Sequence, residues 1–208
     1  MKYDDLRLLT LGRDCSGKTT LIGNIANSSS VPYAVRKLVL SESPNPGYEK
    51  AFKLIKSGEA AEDEITKELI NGMVFEIQKY KEYQGYRKPA LQDSAHIEKT
   101  LYRSLFNGEH ENVAKMIEIL DTYPDPQHVV CLETNIDERI RRMQEREELT
   151  WNDRFVLKNL KENKPQIIET EKKLDRILEN RFDSMIKIDT GIRTSTETLE
   201  CVRRETGL

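Results

Sequence analysis

Short apolar segments alternate with longer amphipathic segments along the chain, and this alternation predicts the fold. The apolar segments are β-prone, and their length is typical of parallel strands buried on both faces. We predict strands at 6–12, 37–42, 89–93, 128–134 and 185–190. Because helical segments separate the strands, the sequence predicts an α/β fold with a five-stranded parallel sheet flanked by helices.

The amphipathic segments predict the helices. The clearest helix is 62–84, where apolar residues such as Ile65, Leu69, Met73 and Ile77 recur on one face. Further helices are predicted at 18–27, 111–120, 135–147 and 163–180, and loops at 44–47 and 107–111. The sequence contains no internal repeat and no long linker, so we expect one domain over 1–208.

Composition narrows the class of protein. Of the 208 residues, 37% are apolar and 33% are charged, and the net charge of -3 gives no reason to expect a nucleic-acid partner. The three cysteines include no CxxC pair, which favours a reducing compartment over a disulfide framework or a zinc site. Acids near the N-terminus are unlike a signal peptide, and no apolar run is long enough to span a bilayer. We therefore expect a cytoplasmic protein without a membrane partner.

A phosphate-binding loop follows the first predicted strand. Gly12, Gly17, Lys18 and Thr19 match the pattern G-x-x-x-x-G-K-[ST], and a predicted helix follows them. The glycines allow successive backbone N–H groups to point at phosphate oxygens, Lys18 adds a positive charge, and Thr19 offers a hydroxyl to Mg²⁺. We expect ATP and Mg²⁺ at this P-loop, which consists of Gly12, Arg13, Asp14, Cys15, Ser16, Gly17, Lys18, Thr19 and Thr20.

Two acids end predicted strands, at the edge of the sheet where ligands bind in open α/β folds. Asp93 ends the third strand and Glu42 ends the second. Asp93 is the expected carboxylate near Mg²⁺, together with Thr19. Glu42 could accept a proton from an acceptor hydroxyl. The alternative for either acid is that it caps the helix that follows.

Arginines cluster after the fourth strand. Arg142 and Arg146 are four residues apart and share one helix face, and Arg154 follows. Arginines on a closing lid would stabilise the charge of a moving phosphoryl group, so we predict a lid at about 142–155. The alternative is a solvated helix with i,i+4 ion pairs such as Glu138–Arg142.

Together these motifs resemble the thymidylate kinase and deoxynucleoside kinase group of P-loop kinases. The loop "GRDCSGKTT" is similar to the thymidylate kinase pattern G-x-D-x-x-G-K-[ST]-T, and "SESPNPG" places Glu42 at the family's second-strand acid. In "DSAHIEKTLY", Asp93 and Tyr102 match the family's third-strand motif, and "NDRF" provides Arg154. The resemblance implies that Asp14 faces the acceptor's sugar, that Glu42 is a general base in the deoxynucleoside kinase branch, and that the protein is a homodimer.

The sequence departs from thymidylate kinases where the acceptor's phosphate is held. Residues 65–84 contain no arginine, and serines at 41 and 94 stand where the family has arginines. Gln78 resembles the glutamine with which deoxynucleoside kinases recognise a base, since an amide both donates and accepts. Lys79, Lys99 and Arg103 are the cations that could compensate.

The resemblance implies an ATP-dependent phosphotransferase that moves the γ-phosphate to a nucleoside monophosphate. Three alternatives stay open: a deoxynucleoside kinase with a 5′-hydroxyl acceptor, a kinase of another small metabolite, and a catalytically degenerate nucleotide-binding regulator. The predicted catalytic residues are Lys18, Glu42, Asp93, Arg142, Arg146 and Arg154. The predicted acceptor-binding residues are Asp14, Glu42, Gln78 and Tyr102.

Overall fold

A computed structural model describes residues 6–37, 45–82, 89–93, 96–123 and 125–208. In these ranges the chain forms a five-stranded, wholly parallel sheet of order β2-β3-β1-β4-β5, with helices packed around it. The strands are β1 (Leu6–Gly12), β2 (Ala34–Lys37), β3 (Ala90–Asp93), β4 (His128–Glu133) and β5 (Ile186–Asp189). The predicted α/β class and five-stranded parallel sheet are confirmed.

The central strand β1 joins the two halves of the core. Leu9 and Leu11 pack into one buried cluster, whereas Leu8 packs into a second buried cluster that includes Ile22 of the helix after the P-loop. All three leucines are fully buried because helices cover both faces of the sheet. This burial fixes the end of β1, from which the P-loop begins.

The helices in the described ranges include those that the sequence predicts and four more. Their bounds are α1 (Lys18–Ser28), α2 (Pro46–Ser57), α3 (Glu62–Glu82), α4 (His96–Asn107), α5 (His110–Thr122), α6 (Ile136–Gln144), α7 (Trp151–Glu162), α8 (Lys164–Arg181) and α9 (Ser195–Thr206). The sequence prediction did not include α2, α4, α7 or α9. No helix among the described residues is long and apolar enough to cross a membrane.

The second strand lies earlier in the chain than predicted. The prediction was 37–42, but β2 covers Ala34–Lys37, and residues 38–44 lie outside the described ranges. The backbone pairs with β3 in register from Ala34 opposite Ala90 to Lys37 opposite Asp93. Because β2 is an edge strand, its sequence can include Arg36 and Lys37, so it does not form an apolar run.

The predicted loop at 44–47 is wrong from residue 46 onwards. The Asn45 side chain accepts hydrogen bonds from the backbone N–H groups of Gly47 and Tyr48, so it caps α2, and Pro46 occupies the first helical position. Proline is favoured there because that N–H has no helical partner. The second predicted loop is shorter than expected, since α4 ends at Asn107 and α5 begins at His110.

Helices α2 and α3 cross at two glycines. A Cβ atom at Gly47 would overlap the backbone of Gly72, and one at Gly72 would overlap the ring of Tyr48. The Asn45 amide also donates to the Gly72 carbonyl at 2.7 Å. Glycine at both positions therefore allows the close approach that buries Tyr48 almost completely.

We predict that Gly72→Ala destabilises the protein by about 1–3 kcal/mol, because the new methyl group overlaps a buried ring. Gly23→Ala in α1 is the matched control, since its Cβ meets nothing within 4 Å and the change favours the helix by up to about 1 kcal/mol. Urea unfolding of both variants measures the difference. Equal stability of the two variants would contradict the tight crossing.

Candidate functional site

The P-loop joins β1 to α1 through three residues with positive φ. These are Gly12 (φ 135°), Cys15 (φ 62°) and Gly17 (φ 97°), and Gly17 precedes the first turn of α1. A Cβ at Gly12 would lie 2.5 Å from the Leu132 carbonyl oxygen and 2.8 Å from the Ser16 hydroxyl. The conformation and the space both require glycine at position 12.

Lys18 folds back over the loop. Its ammonium donates to the carbonyls of Gly12 at 2.6 Å and Arg13 at 2.8 Å. Burial lowers the pKa of Lys18, while Glu98 and Asp14 favour its charged form. The ammonium is therefore held against the backbone of the loop, and Lys18 also lines the cavity next to it.

Thr19 and Asp93 form a hydrogen-bonded pair next to Lys18 in the sequence of the P-loop and at the end of β3. The Thr19 hydroxyl donates to Asp93 Oδ2 at 2.6 Å, and Asp93 is buried at the end of β3. No cluster of three or more His, Cys, Asp or Glu side chains able to hold a metal occurs among the described residues. A hydroxyl beside one carboxylate nevertheless fits Mg²⁺, which takes oxygen ligands and completes its shell with phosphates and water.

A cavity of about 590 Å³ opens above these groups. Asp14, Lys18 and Thr19 of the P-loop line it, together with Asp93. Lys99 of α4 lines it as well, and the segments that follow β4 and β5 line much of the rest. They contribute Arg142, Met143, Arg146, Asp153, Val156, Thr190, Arg193, Ser195 and Thr198.

Two of the three predicted lid arginines reach the P-loop. Arg142 donates to the Cys15 carbonyl at 3.2 Å and also to the carbonyl of Thr190. Its Nε donates to Glu138 at 2.8 Å, so the predicted i,i+4 pair is present as well. Arg146 pairs with Asp153 and donates to the Cys15 sulfur at 3.1 Å.

The third predicted lid arginine, Arg154, is exposed on α7 and does not line the cavity. The start of α7 is fixed by a capping box, in which Thr150 and Asp153 each accept a backbone hydrogen bond from the other. Since Asp153 also pairs with Arg146, this cap positions the Arg146 guanidinium beside the P-loop.

A buried carboxylate holds the first turn of the P-loop. Glu98 of α4 accepts from the Gly12 N–H at 3.0 Å and from Arg13 Nη1 at 2.8 Å. Arg13 also pairs with Asp175 of α8. Burial opposes the charged form of Arg13, but Glu98, Asp175 and Glu171 outweigh it and raise the pKa of Arg13 above its ordinary value.

A second arginine extends this ion network to α6. Arg139 of α6 is 4% exposed, pairs with Glu171 at 2.6 Å and donates to the Asp14 carbonyl at 3.2 Å. The network of Arg13, Glu98, Arg139, Glu171 and Asp175 thus connects the P-loop to α4, α6 and α8.

Sequence reasoning missed most of this network. Glu98, Glu171 and Asp175 lie on amphipathic helices, where a carboxylate normally faces solvent, and no local pattern marks them. Thr190 was missed as well, although its hydroxyl donates to the Ser16 carbonyl at 3.0 Å and ties the end of β5 to the P-loop. Its only signal was its position after a strand.

The predicted acceptor residues lie in different surroundings. Asp14 lines the cavity. Tyr102 is half-buried on α4, stacks against Phe106, and has its pKa raised to about 12, chiefly by burial. Gln78 lies on the exposed face of α3 and donates to Glu82 at 3.0 Å. Glu42 falls outside the described residues, as do the serines at 41 and 94 and the segment that would show whether Asp93 caps α4.

Comparison with solved structures finds the same fold in nucleoside and nucleotide kinases. Thymidylate kinase from Candida albicans is 16% identical with a TM-score of 0.67, over 97% of this chain and 92% of that chain. Deoxyadenosine kinase from M. mycoides with bound dCTP is 14% identical with a TM-score of 0.62, over 97% and 98%. The same enzyme with bound dATP is 14% identical with a TM-score of 0.62, over 98% and 100%.

No protein-family profile matches the sequence, and no curated protein matches it. At identities this low, the structural likeness establishes the fold alone. The chain therefore has the P-loop kinase fold that the sequence predicts.

We predict that Glu98→Ala destabilises the protein by about 3 kcal/mol, because it leaves the Gly12 N–H without this partner and Arg13 short of one buried counter-charge. Glu98→Gln should cost less, since its amide oxygen can still accept from Gly12. Chemical denaturation of both variants measures the free energy of unfolding.

The matched control for Glu98 is Glu169→Ala on α8. Glu169 pairs with Lys173 at 2.8 Å on an exposed surface, where an ion pair contributes little. If Glu98→Ala is no more destabilising than Glu169→Ala, Glu98 does not brace the P-loop.

Proposed function

We propose that the chain is an ATP-dependent phosphotransferase that moves the γ-phosphate to a nucleoside monophosphate, as a thymidylate kinase does. One observation carries the proposal: Lys18, Thr19, Asp93, Arg142 and Arg146 border a single cavity. Phosphoryl transfer depends on positioning and on neutralising the charge of the moving group, and P-loop enzymes use these residue types for both.

The donor half of the site follows from the P-loop. Backbone N–H groups of the loop would hold the donor phosphates, and Lys18 would exchange its carbonyl partners for phosphate oxygens. Thr19 and Asp93 would hold Mg²⁺, which when bound neutralises charge on those phosphates. Arg142 and Arg146 would add positive charge from the lid side of the cavity.

The acceptor half rests on fewer observations. Asp14 lines the cavity, which supports its predicted role at the acceptor's sugar. Tyr102 lies on α4 and does not line the cavity, and Gln78 is engaged with Glu82 on an exposed face. Neither position adds support to the predicted role in acceptor binding. The roles of Glu42 and Arg154, the lid at 142–155, the single domain and the homodimer stay predictions.

A nucleoside kinase is the second candidate, and the composition of α3 favours it. This helix carries no arginine to grip a monophosphate. A nucleoside acceptor has a 5′-hydroxyl that must lose a proton, so a general base is then required.

The experiment that tests the proposal is an ADP-release assay with ATP, Mg²⁺ and a panel of nucleosides and nucleoside monophosphates. We expect monophosphates to stimulate ADP release. Lys18→Ala should reduce the stimulated rate by about 10²-fold or more, because it removes a charge that faces the transferred phosphate. Lys53→Ala is the control, since Lys53 pairs with Glu49 on an exposed helix face.

The outcomes separate the candidate functions. Stimulation by nucleosides alone would favour the second candidate. A wild-type protein that binds ATP but shows no acceptor-stimulated ADP release across the panel would contradict both and favour a nucleotide-binding regulator.

Glu42→Gln tests the choice of acceptor. If a nucleoside is the substrate, this change should nearly abolish turnover and leave ATP binding intact, because the amide cannot accept the hydroxyl proton. If a monophosphate is the substrate, its phosphate oxygen is already a nucleophile and the rate should fall much less. Steady-state rates with both acceptor types measure the contrast, and near wild-type turnover of a nucleoside would reject the general base.

A further inference from the structure

Lys99 is a cation at the cavity that the donor site does not use. It lies in the first turn of α4 and lines the cavity together with Lys18, Asp14 and Asp93. The preceding residue, Glu98, is engaged with Gly12 and Arg13. Lys99 itself is exposed, and no ion pair to it is found within the described ranges.

The other two cations that could compensate for the missing arginines are engaged elsewhere. Lys79 pairs with Glu82 at 2.8 Å on α3. Arg103 pairs with Glu62. Neither lines the cavity. Of these three cations, Lys99 therefore has the geometry to meet a ligand in the site.

Topology separates Lys99 from the lid arginines. The lid follows β4, and Thr190 follows β5, on one side of β1. Lys99 follows β3, on the other side of β1. A nucleotide held by the P-loop and the lid side therefore leaves Lys99 on the opposite side of the cavity, past Asp93.

Lys99 adds a second ammonium group to the cavity beside Lys18. Its positive charge acts on Lys18 and on the buried His96, and it adds to the effect of burial in lowering the pKa of each, to about 4 for His96. Two ammonium groups at one cavity repel each other, and a bound anion relieves that repulsion. The donor phosphates would engage Lys18, so the charge of Lys99 remains for a second phosphate.

We propose that Lys99 binds the phosphate of the acceptor, and that the acceptor is therefore a phosphorylated nucleoside. The inference rests on the proposed function for the location of the donor. It assigns to one lysine on α4 the contact that arginines at 41, 94 or on α3 would otherwise make.

The test compares binding of monophosphates with binding of the matching nucleosides. The protein is saturated with a non-hydrolysable ATP analogue and Mg²⁺, and calorimetric titration measures the Kd of dTMP, dAMP, dCMP and dGMP and of the four deoxynucleosides. The wild type should bind at least one monophosphate more tightly than its nucleoside. Lys99→Ala should raise the Kd of that monophosphate roughly ten-fold, since a charge-assisted contact is lost. It should raise the Kd of the nucleoside less than about two-fold.

Two further variants sharpen the result. Lys99→Arg should restore most of the affinity for the monophosphate, because a guanidinium also binds phosphate. Lys79→Ala removes a paired, exposed lysine and should match the wild type. The Kd of the ATP analogue and the thermal midpoint should be unchanged in all three variants.

Several results would overturn the inference. The first is an equal loss of affinity for the monophosphate and the nucleoside in Lys99→Ala. The second is a matching loss of affinity for the ATP analogue in that variant. The third is a wild type that binds no monophosphate more tightly than its nucleoside. The proposed function fails separately: a wild type that shows the Lys99-dependent preference but releases no ADP with ATP would retain this assignment and reject phosphotransfer.

Discussion

The buried carboxylate of Glu98 is the contact on which the shape of the phosphate loop depends. It accepts from the Gly12 N–H, where the chain leaves β1, and from the Arg13 guanidinium one residue later. The first contact gives the buried Gly12 N–H a partner. The second is needed because the loop's first turn buries the charged side chain of Arg13 instead of leaving it in water. An arginine buried there requires counter-charges, and Glu98, Glu171 and Asp175 supply them.

The same ion network links the P-loop to α6, which carries the predicted lid arginine Arg142. Glu171 is shared by Arg13 and Arg139, and Arg139 donates to the Asp14 carbonyl within the loop. Arg142 lies one helical turn further along α6 and reaches the Cys15 carbonyl. The backbone of the P-loop is thus held by side chains of α4 and α6, and α8 holds the Arg13 side chain. This arrangement holds the loop in one conformation, so the proposed binding of a nucleotide would need little reorganisation of the loop.

Those parts of the fold with a local physical signature could be predicted from the sequence. The buried strand β1 and the glycines of the P-loop were found because apolar runs and positive-φ positions leave clear patterns. The predicted position of β2 was wrong because an edge strand tolerates charges such as that of Arg36. Helix α2 was not predicted because Pro46 is typical of a loop, yet here it occupies the first helical position. The network around Glu98 could not be predicted, since its partners come from helices far apart in sequence and only the folded chain brings them together.

The proposed reaction moves a phosphate held at this loop to an acceptor in the same cavity. Single-turnover reaction with ATP labelled on the γ-phosphate tests it most directly, with a nucleoside monophosphate as acceptor and separation of the labelled products. We expect the label to appear in the nucleoside diphosphate. Label that stays in ATP, or that is released as inorganic phosphate whether or not an acceptor is present, would contradict it.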